Sequence, residues 1–376
     1  MYTRFQWPSP IDHLRRKTPD TAILYFCPAV LQATAQSFQV GFPGLVTYAV
    51  KANPNKGVLE NLSAAGLTAF DVASPAEMAA VRAVAPDALL HYNNPVRSPE
   101  EVRCAIQHGV VSYSVDELSE LDKLNNVPQG TEIAVRLALP VKGAAYDFGA
   151  KFGAEPEEAA MLLRLVAERG HAPAICFHPG TQCADPEPWG TYIRAVADMA
   201  KAAEVKLARI NVGGGFASNR DGAAPDLTAI FEHIGAVTRE VFGAVAPQLL
   251  CEPGRAMVAD AFCLATRVKA TRDSGAVFLN DGLYGALAEA RDMGAVARVR
   301  VVSEEGTLRE GAKSPRIVFG PTCDSLDRLP ERLPLPSDIA EGDYVIFDGM
   351  GAYGECLATA FNGYGPSAPV LVSQFE

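Results

Sequence analysis

From about residue 40 to residue 255, short apolar runs alternate with stretches whose apolar positions recur every three or four residues. An apolar run over 46–50 precedes a helical pattern over 58–65, and 69–72 precedes 75–85. The run 89–92 precedes 99–108, and 111–114 precedes 117–124. Runs at 133–139, 174–178, 207–212 and 248–252 bring the strand candidates to eight. Strands that stay apolar without alternation are buried on both faces, and their regular spacing by helices implies a parallel sheet with helical crossovers. Eight such units predict a β/α barrel, with an open doubly wound sheet as the rival arrangement.

Beyond residue 256 the helical periods thin out. Strand-like runs at 258–267, 276–279, 297–302, 317–319 and 344–347 are joined by long connections rich in Gly and Pro. The segment 329–337 carries three prolines and reads as a loop. An early apolar run, 23–26, is a strand able to pair with this later half. The expectation is a TIM-like β/α barrel over 30–257 and a mostly β domain built from 1–29 and 258–376. The chain shows no internal repeat and no low-complexity tract.

Composition narrows the function classes. A length of 376 residues fits two domains, and 48% hydrophobic with 20% charged residues is ordinary for a globular chain. A net charge of −11 and a pI near 5.1 argue against nucleic acid or an anionic membrane as partner. The stretch Met1-Tyr2-Thr3-Arg4-Phe5-Gln6-Trp7-Pro8 has no apolar leader core, and no run reaches membrane-spanning length. Eight cysteines lie scattered at 27, 104, 176, 183, 251, 263, 323 and 356 without a C-x-x-C pair. That pattern predicts reduced thiols and a cytoplasmic protein. The six histidines lack ligand spacing, so no metal site is expected.

In a barrel, chemistry gathers where strands end and loops begin. Lys51, Asp71, Arg136, His178, the triplet Gly213-Gly214-Gly215 and the run Glu252-Pro253-Gly254-Arg255 all fall at such positions. Lys51 follows an apolar run directly, and taken alone it reads as a surface lysine at a strand end. If desolvated at the strand mouth, it reads instead as a neutral nucleophile suited to Schiff-base chemistry. Three consecutive glycines let backbone N–H groups approach an anion. Arg255 offers a bidentate contact to phosphate. His178-Pro179-Gly180-Thr181 puts an imidazole and a hydroxyl in one loop. The string Gly349-Met350-Gly351-Ala352-Tyr353-Gly354 matches G-x-G-x-x-G, but only 22 residues follow it. That leaves no room for the βαβ unit and distal acid that a dinucleotide site requires.

Taken in order, these motifs resemble the fold-type III pyridoxal-phosphate-dependent decarboxylases of basic amino acids, with the ornithine-specific branch closest. The resemblance rests on Tyr48-Ala49-Val50-Lys51-Ala52-Asn53, Phe70-Asp71-Val72-Ala73-Ser74, Lys151-Phe152-Gly153 and His178-Pro179-Gly180-Thr181. It continues through Gly213-Gly214-Gly215-Phe216, Glu252-Pro253-Gly254-Arg255, Asn280-Asp281-Gly282-Leu283-Tyr284-Gly285, Gly320-Pro321-Thr322-Cys323-Asp324 and Met350-Gly351-Ala352-Tyr353.

The resemblance implies that Lys51 binds pyridoxal 5'-phosphate as an imine and that Glu252 faces the ring nitrogen. It implies that Gly213, Gly214, Gly215, Gly254, Arg255, Thr181 and Tyr353 hold the phosphate. His178 would stack on the ring, and Asp71 and Arg136 would line its other edge. Cys323 would return a proton after CO₂ leaves. Asp281, Asp324 and Tyr284 would contact a cationic amino acid, with Asp281 and Asp324 receiving its distal ammonium. Cys323 and Asp324 would serve the neighbouring subunit of a homodimer. L-Ornithine, giving putrescine, is the expected substrate, and lysine or another cationic amino acid is the alternative. Glu252 speaks against the racemases that share this barrel. A non-catalytic homologue of the antizyme-inhibitor kind would be expected to have lost cofactor contacts that are present here. Departures from the family pattern are Pro179, Thr181, Glu355 and the stretch Ala288-Glu289-Ala290-Arg291-Asp292.

Overall fold

The computed structural model describes residues 6–140 and 151–376. The first five residues of the N-terminal stretch read above lie outside them. The chain divides into two compact units, one of Thr34–Ala217 with Pro225–Met257, the other of Met1–Ala33, Ser218–Ala224 and Val258–Glu376.

In the first unit, parallel strands Ala69–Val72, Leu89–Tyr92, Val110–Val115, Glu132–Arg136, Ala172–Cys176, Arg209–Asn211 and Gln248–Cys251 pair in sequence order. The ends of this sheet are Leu45–Val46, paired with Gln248–Cys251, and Tyr48–Ala49, paired with Ala69–Val72. Thr47 joins those two segments and donates its N–H to the Cys251 carbonyl at 2.9 Å. One extended run therefore meets both neighbours, and the sheet closes into an eight-stranded barrel. This decides between the two sheet arrangements that the alternation left open.

Helix starts follow the strand ends for local reasons. Ser74 and Ser98 accept the N–H groups of Glu77 and Glu101, each with proline in the first helical turn. Around Ser98 the capping box is complete, with Glu101 returning a bond to the Ser98 N–H at 2.7 Å. Asp226 caps Leu227–Phe242 in the same way. The inward faces of these helices carry Leu62, Met78, Val81, Val102, Leu163, Val166, Ile193 and Ile234, all buried. Where the strands begin, Arg209 pairs with Glu132 at 2.9 Å and Ser112 donates to the same carboxylate at 2.8 Å. Beside them His91 is buried, and desolvation with the Arg209 charge lowers its pKa to about 3. The far end of the barrel is left to the strand-end residues.

The second unit is mostly β. Its long strand Phe262–Thr271 pairs antiparallel with Ile23–Phe26 on one side and Tyr344–Asp348 on the other. Its later half also pairs antiparallel with Val277–Leu279, with a register shift between Val268 and Ala270. The long strand begins about a turn later than the expected 258. Arg255–Val258 is helical and Ala259–Ala261 a 3₁₀ turn, so the extended chain begins at Phe262. The proline-rich segment read as a loop is in part a strand. Leu333–Pro336 pairs with Lys313–Arg316, Pro315 facing Pro334. A two-stranded ladder tolerates prolines because each strand has an edge that needs no donor.

Candidate active site

Lys51 lies on a 3₁₀ turn, Val50–Ala52, immediately after strand Tyr48–Ala49, and is exposed. Its expected desolvation at a strand mouth is thus not found in the chain by itself. Its charge still acts on its neighbours. It pulls Asp71 and Glu77 down and, after burial, is the largest influence lowering His178.

Asp71, in strand Ala69–Val72, is 5% exposed. Burial, and then the Glu252 carboxylate, push it well above the ordinary carboxylate range, with Lys51 opposing. Its Oδ1 finds no hydrogen-bond partner among the described residues. His178 sits two residues beyond strand Ala172–Cys176, and its Nδ1 accepts the Gly180 N–H at 3.1 Å. Burial, then the Lys51 and Arg136 cations, hold its pKa well below 6.5, so the ring is neutral and its proton belongs on Nε2. The Arg136 guanidinium lies 5.2 Å from the Phe152 ring centroid, and Gly153 next to it donates to Asp116 at 2.9 Å.

The glycine triplet follows strand Arg209–Asn211. Gly213 and Gly215 have φ of +68° and +88°. A Cβ on Gly213 would overlap the Phe177 carbonyl, and one on Gly215 the Gly180 carbonyl. A Cβ on Gly214 would stand 2.8 Å from the Glu252 carbonyl and 3.3 Å from His178 Nε2. The triplet is therefore a backbone shelf beside His178 and Glu252. The Cys183 N–H, donating to the Gly215 carbonyl at 2.9 Å, ties the Thr181 loop to it. Gly254 packs on the Lys51 turn, its Cβ position 3.0 Å from Ala52 Cβ, and buried Arg255 starts the next short helix. A shelf without side chains, an arginine, an exposed lysine and an acid with an unused buried oxygen fit a phosphorylated carbonyl compound.

The sequence-predicted substrate residues lie in the β-rich unit. The Tyr284 hydroxyl donates to Asp324 Oδ2, and Asp324 Oδ1 accepts the Leu326 N–H at 2.9 Å. Those bonds hold the Asp324 carboxyl below its ordinary range. Cys323 is exposed, and its N–H donates to Asn362 Oδ1 at 3.1 Å. Asp281 is placed otherwise. It is 1% exposed, and its oxygens accept the Gly282 and Ala286 N–H groups at 3.0 and 2.9 Å. That is the position of a loop cap, and burial raises its pKa to about 6. Tyr353 is half-buried with φ of +55°. In the neighbouring G-x-G-x-x-G string, Gly351 donates to the Ala259 carbonyl at 3.0 Å, and a Cβ there would overlap the Val258 carbonyl. Close backbone packing accounts for that glycine.

Three residues escaped the sequence reading. Asp327 accepts from the Leu283 N–H at 2.8 Å, the Thr322 N–H at 3.1 Å and the Thr322 hydroxyl at 2.8 Å, so it joins the Tyr284 loop to the Cys323 loop. Asn93 and Asn211 both donate to Glu252 Oε1. The sequence marks only Asn211, whose position two residues before Gly213 is that of an Asx turn. Among the described residues no cluster of His, Cys, Asp and Glu is arranged to hold a metal ion, and no helix is long and apolar enough to cross a membrane.

A parallel barrel whose strand ends carry a lysine, a neutral imidazole, a glycine shelf and a pair of carboxylates defines an enzyme built around a phosphorylated aldehyde cofactor. The pyridoxal-binding domain model of the pyridoxal-dependent decarboxylases matches residues 29–259. The chain belongs to this family, whose cofactor is pyridoxal 5'-phosphate and whose chemistry is that of a carboxy-lyase acting on basic amino acids. It is 32% identical to a lysine/ornithine decarboxylase of Selenomonas ruminantium, over 85% of this chain and 81% of that one. To the ornithine decarboxylase of Mus musculus it is 29% identical, over 84% and 73%. The crystal structure of the Vibrio vulnificus lysine/ornithine decarboxylase complexed with cadaverine superposes with a TM-score of 0.80. That match is 26% identical and covers 93% of this chain and 94% of the other.

Proposed function

We propose that this protein decarboxylates L-ornithine to putrescine, with L-lysine as a slower second substrate, as a cytoplasmic homodimer. When bound, pyridoxal phosphate supplies the electron sink that accepts the pair freed as CO₂ departs. Lys51 anchors the aldehyde carbon. Gly213, Gly214, Gly215, Gly254 and Arg255 would take the phosphate, with Thr181 adding a hydroxyl. Glu252 faces the ring nitrogen and keeps it protonated. Neutral His178 covers the ring face without adding a competing charge. Asp71 and Arg136 line the remaining edge.

The observation that carries the substrate reading is the Tyr284 hydroxyl on Asp324. It orients one carboxylate at a surface position next to the Cys323 thiol. A single carboxylate matches a single distal ammonium, which must be paired once it leaves water. With Asp281 engaged by its own loop, Asp324 is the acid that meets it. In the neighbouring subunit's site, the Cys323 thiol would deliver a proton to the carbon that has lost CO₂, so that one proton replaces one carboxylate and the amine product leaves. Exposed Leu326, Leu357 and Phe361 beside these residues support a subunit interface, and eight free cysteines support a reducing compartment.

The test is CO₂ release and amine formation from ornithine, lysine, arginine and diaminopimelate. The highest kcat/KM is expected with ornithine. Turnover of arginine or diaminopimelate above both ornithine and lysine would overturn the substrate assignment.

A further inference from the structure

Among the described residues, two side-chain amides meet on one oxygen of Glu252. Asn93, just past strand Leu89–Tyr92, and Asn211, the last residue of strand Arg209–Asn211, each donate an amide N–H to Oε1 of that carboxylate. Both amides are buried, at 9% and 4% exposure. The orientation of Asn211 is fixed independently of Glu252. Asn211 Oδ1 accepts the Gly213 N–H at 2.9 Å, so its amide nitrogen must face the carboxylate. The Asn93 side chain also hydrogen-bonds Asp71, and its Oδ1 has no partner among the described residues. The backbone around Asn93 is pinned by Arg97, itself 2% exposed. Its guanidinium donates to the carbonyls of Tyr92 at 3.3 Å and Asn94 at 2.7 Å, and also to that of Ser114.

We propose that Asn93 and Asn211 form a two-amide clamp. It fixes Glu252 by Oε1, leaves Oε2 to the cofactor ring nitrogen, and makes both asparagines positioning residues for the reaction. The proposal rests on the functional reading above. Donors to a charged oxygen are strong where water is excluded. Two of them on one oxygen set the plane of the carboxylate and spread its charge. The proton between Glu252 and the ring then stays on the ring, where it strengthens the electron sink. Asn211 does a second job, because the same amide that holds Glu252 fixes Gly213, the first residue of the phosphate shelf. Ring nitrogen and phosphate are thereby registered against each other through one side chain. Asn93, between Glu252 and Asp71, separates two acids that would otherwise face each other directly.

The test uses the full-length protein loaded with pyridoxal phosphate labelled with ¹⁵N in the ring. Asn93→Ala removes one donor. Asn211→Asp keeps an acceptor for the Gly213 N–H but sets an oxygen against Oε1. Circular dichroism confirms folding, the visible absorbance band reports cofactor uptake, and the ring ¹⁵N resonance reports where the proton sits. The expected result is a protonated ring in the wild type and a resonance displaced toward the unprotonated position in each variant. With it kcat falls about tenfold while KM is kept, as for loss of one hydrogen bond to a charged group. Asn93→Gln, which retains a donor, recovers part of the wild-type resonance. Folded, cofactor-loaded variants with unchanged ring resonance and unchanged kcat overturn the clamp. A wild-type protein that develops no visible band contradicts the proposed function and the clamp with it.

Discussion

The Glu252 N–H donates to the carbonyl of Gly213 at 2.8 Å, so the strand end that carries Glu252 and the strand end that carries the glycine triplet are joined backbone to backbone.

Gly213 is the sensitive point of that junction. Gly213→Ala forces a side chain into the left-handed region, which costs about 1–2 kcal/mol before any overlap with the Phe177 carbonyl is counted. We expect cofactor affinity to fall by about tenfold or more on that energy scale. Titration of the cofactor-free protein with pyridoxal phosphate, followed at the visible band, measures it. An unchanged dissociation constant would remove the triplet from the phosphate site.

His178 should not titrate in the range where the enzyme works. Burial and the cations Lys51 and Arg136 depress its pKa, so its charged form is disfavoured in the folded state. The sign follows. The unfolded chain binds a proton near pH 6.5 that the folded chain refuses, and stability is lost as pH falls below that value. The His178 ring resonances, assigned by comparison with His178→Gln, should stay constant between pH 6 and 8. A midpoint near 6.5 would show that the imidazole is solvated and not held as described.

Asp281 gives the opposite dependence. Its pKa is raised to about 6 by burial, so the folded chain holds a proton that the unfolded chain, titrating near 3.8, has released. Its contribution is therefore present at pH 5 and lost as pH rises through 6. The stability advantage of wild type over Asp281→Asn should be greater at pH 5 than at pH 7 by about 1 kcal/mol, as the linkage gives for that shift. Urea unfolding at the two pH values reads it. An advantage independent of pH would mean that Asp281 is charged at both.

Asp327 ties two loops with three donors on two oxygens, at 1% exposure. Asp327→Asn turns an N–H toward one of those donors, leaving buried polar groups unpaired at a cost of about 1–3 kcal/mol. The expected outcome is a lower urea midpoint together with a raised KM for ornithine. The raised KM follows because Tyr284 and the Cys323-Asp324 pair lose their common support. Tyr284→Phe should raise KM severalfold with little loss of stability. If Asp327→Asn changes stability and leaves KM alone, the loops are not coupled through it.

The barrel was legible because its strands are buried on both faces and each is followed by a helix with its own start signal. The runs at 69–72, 89–92 and 248–252 differ from the observed strands by at most a residue. Chemistry confined to strand ends was legible for the same reason. What the sequence did not disclose depends on partners distant in the chain. Asn93 reaches Glu252 across 159 positions, and an asparagine in a loop has no pattern that announces such a bond. Asp327 and Asp281 carry the same side chain, and only burial by neighbouring loops makes both into loop ties. The strand Leu333–Pro336 was hidden because its ladder accommodates prolines. Residues 218–224 belong with the β-rich unit, where the Ala297 N–H donates to the Arg220 carbonyl at 2.8 Å and Arg220 pairs with Glu289. Nothing local to that segment signals it.

The central claim is that this barrel holds pyridoxal phosphate on Lys51. Reduction of the loaded protein with borohydride fixes the cofactor to whichever amine carries it, and peptide mass spectrometry then reads the position. The account predicts the phosphopyridoxyl mass on the peptide containing Lys51 and its loss in Lys51→Ala. Label on another lysine, or retention of the visible band by Lys51→Ala, would contradict it.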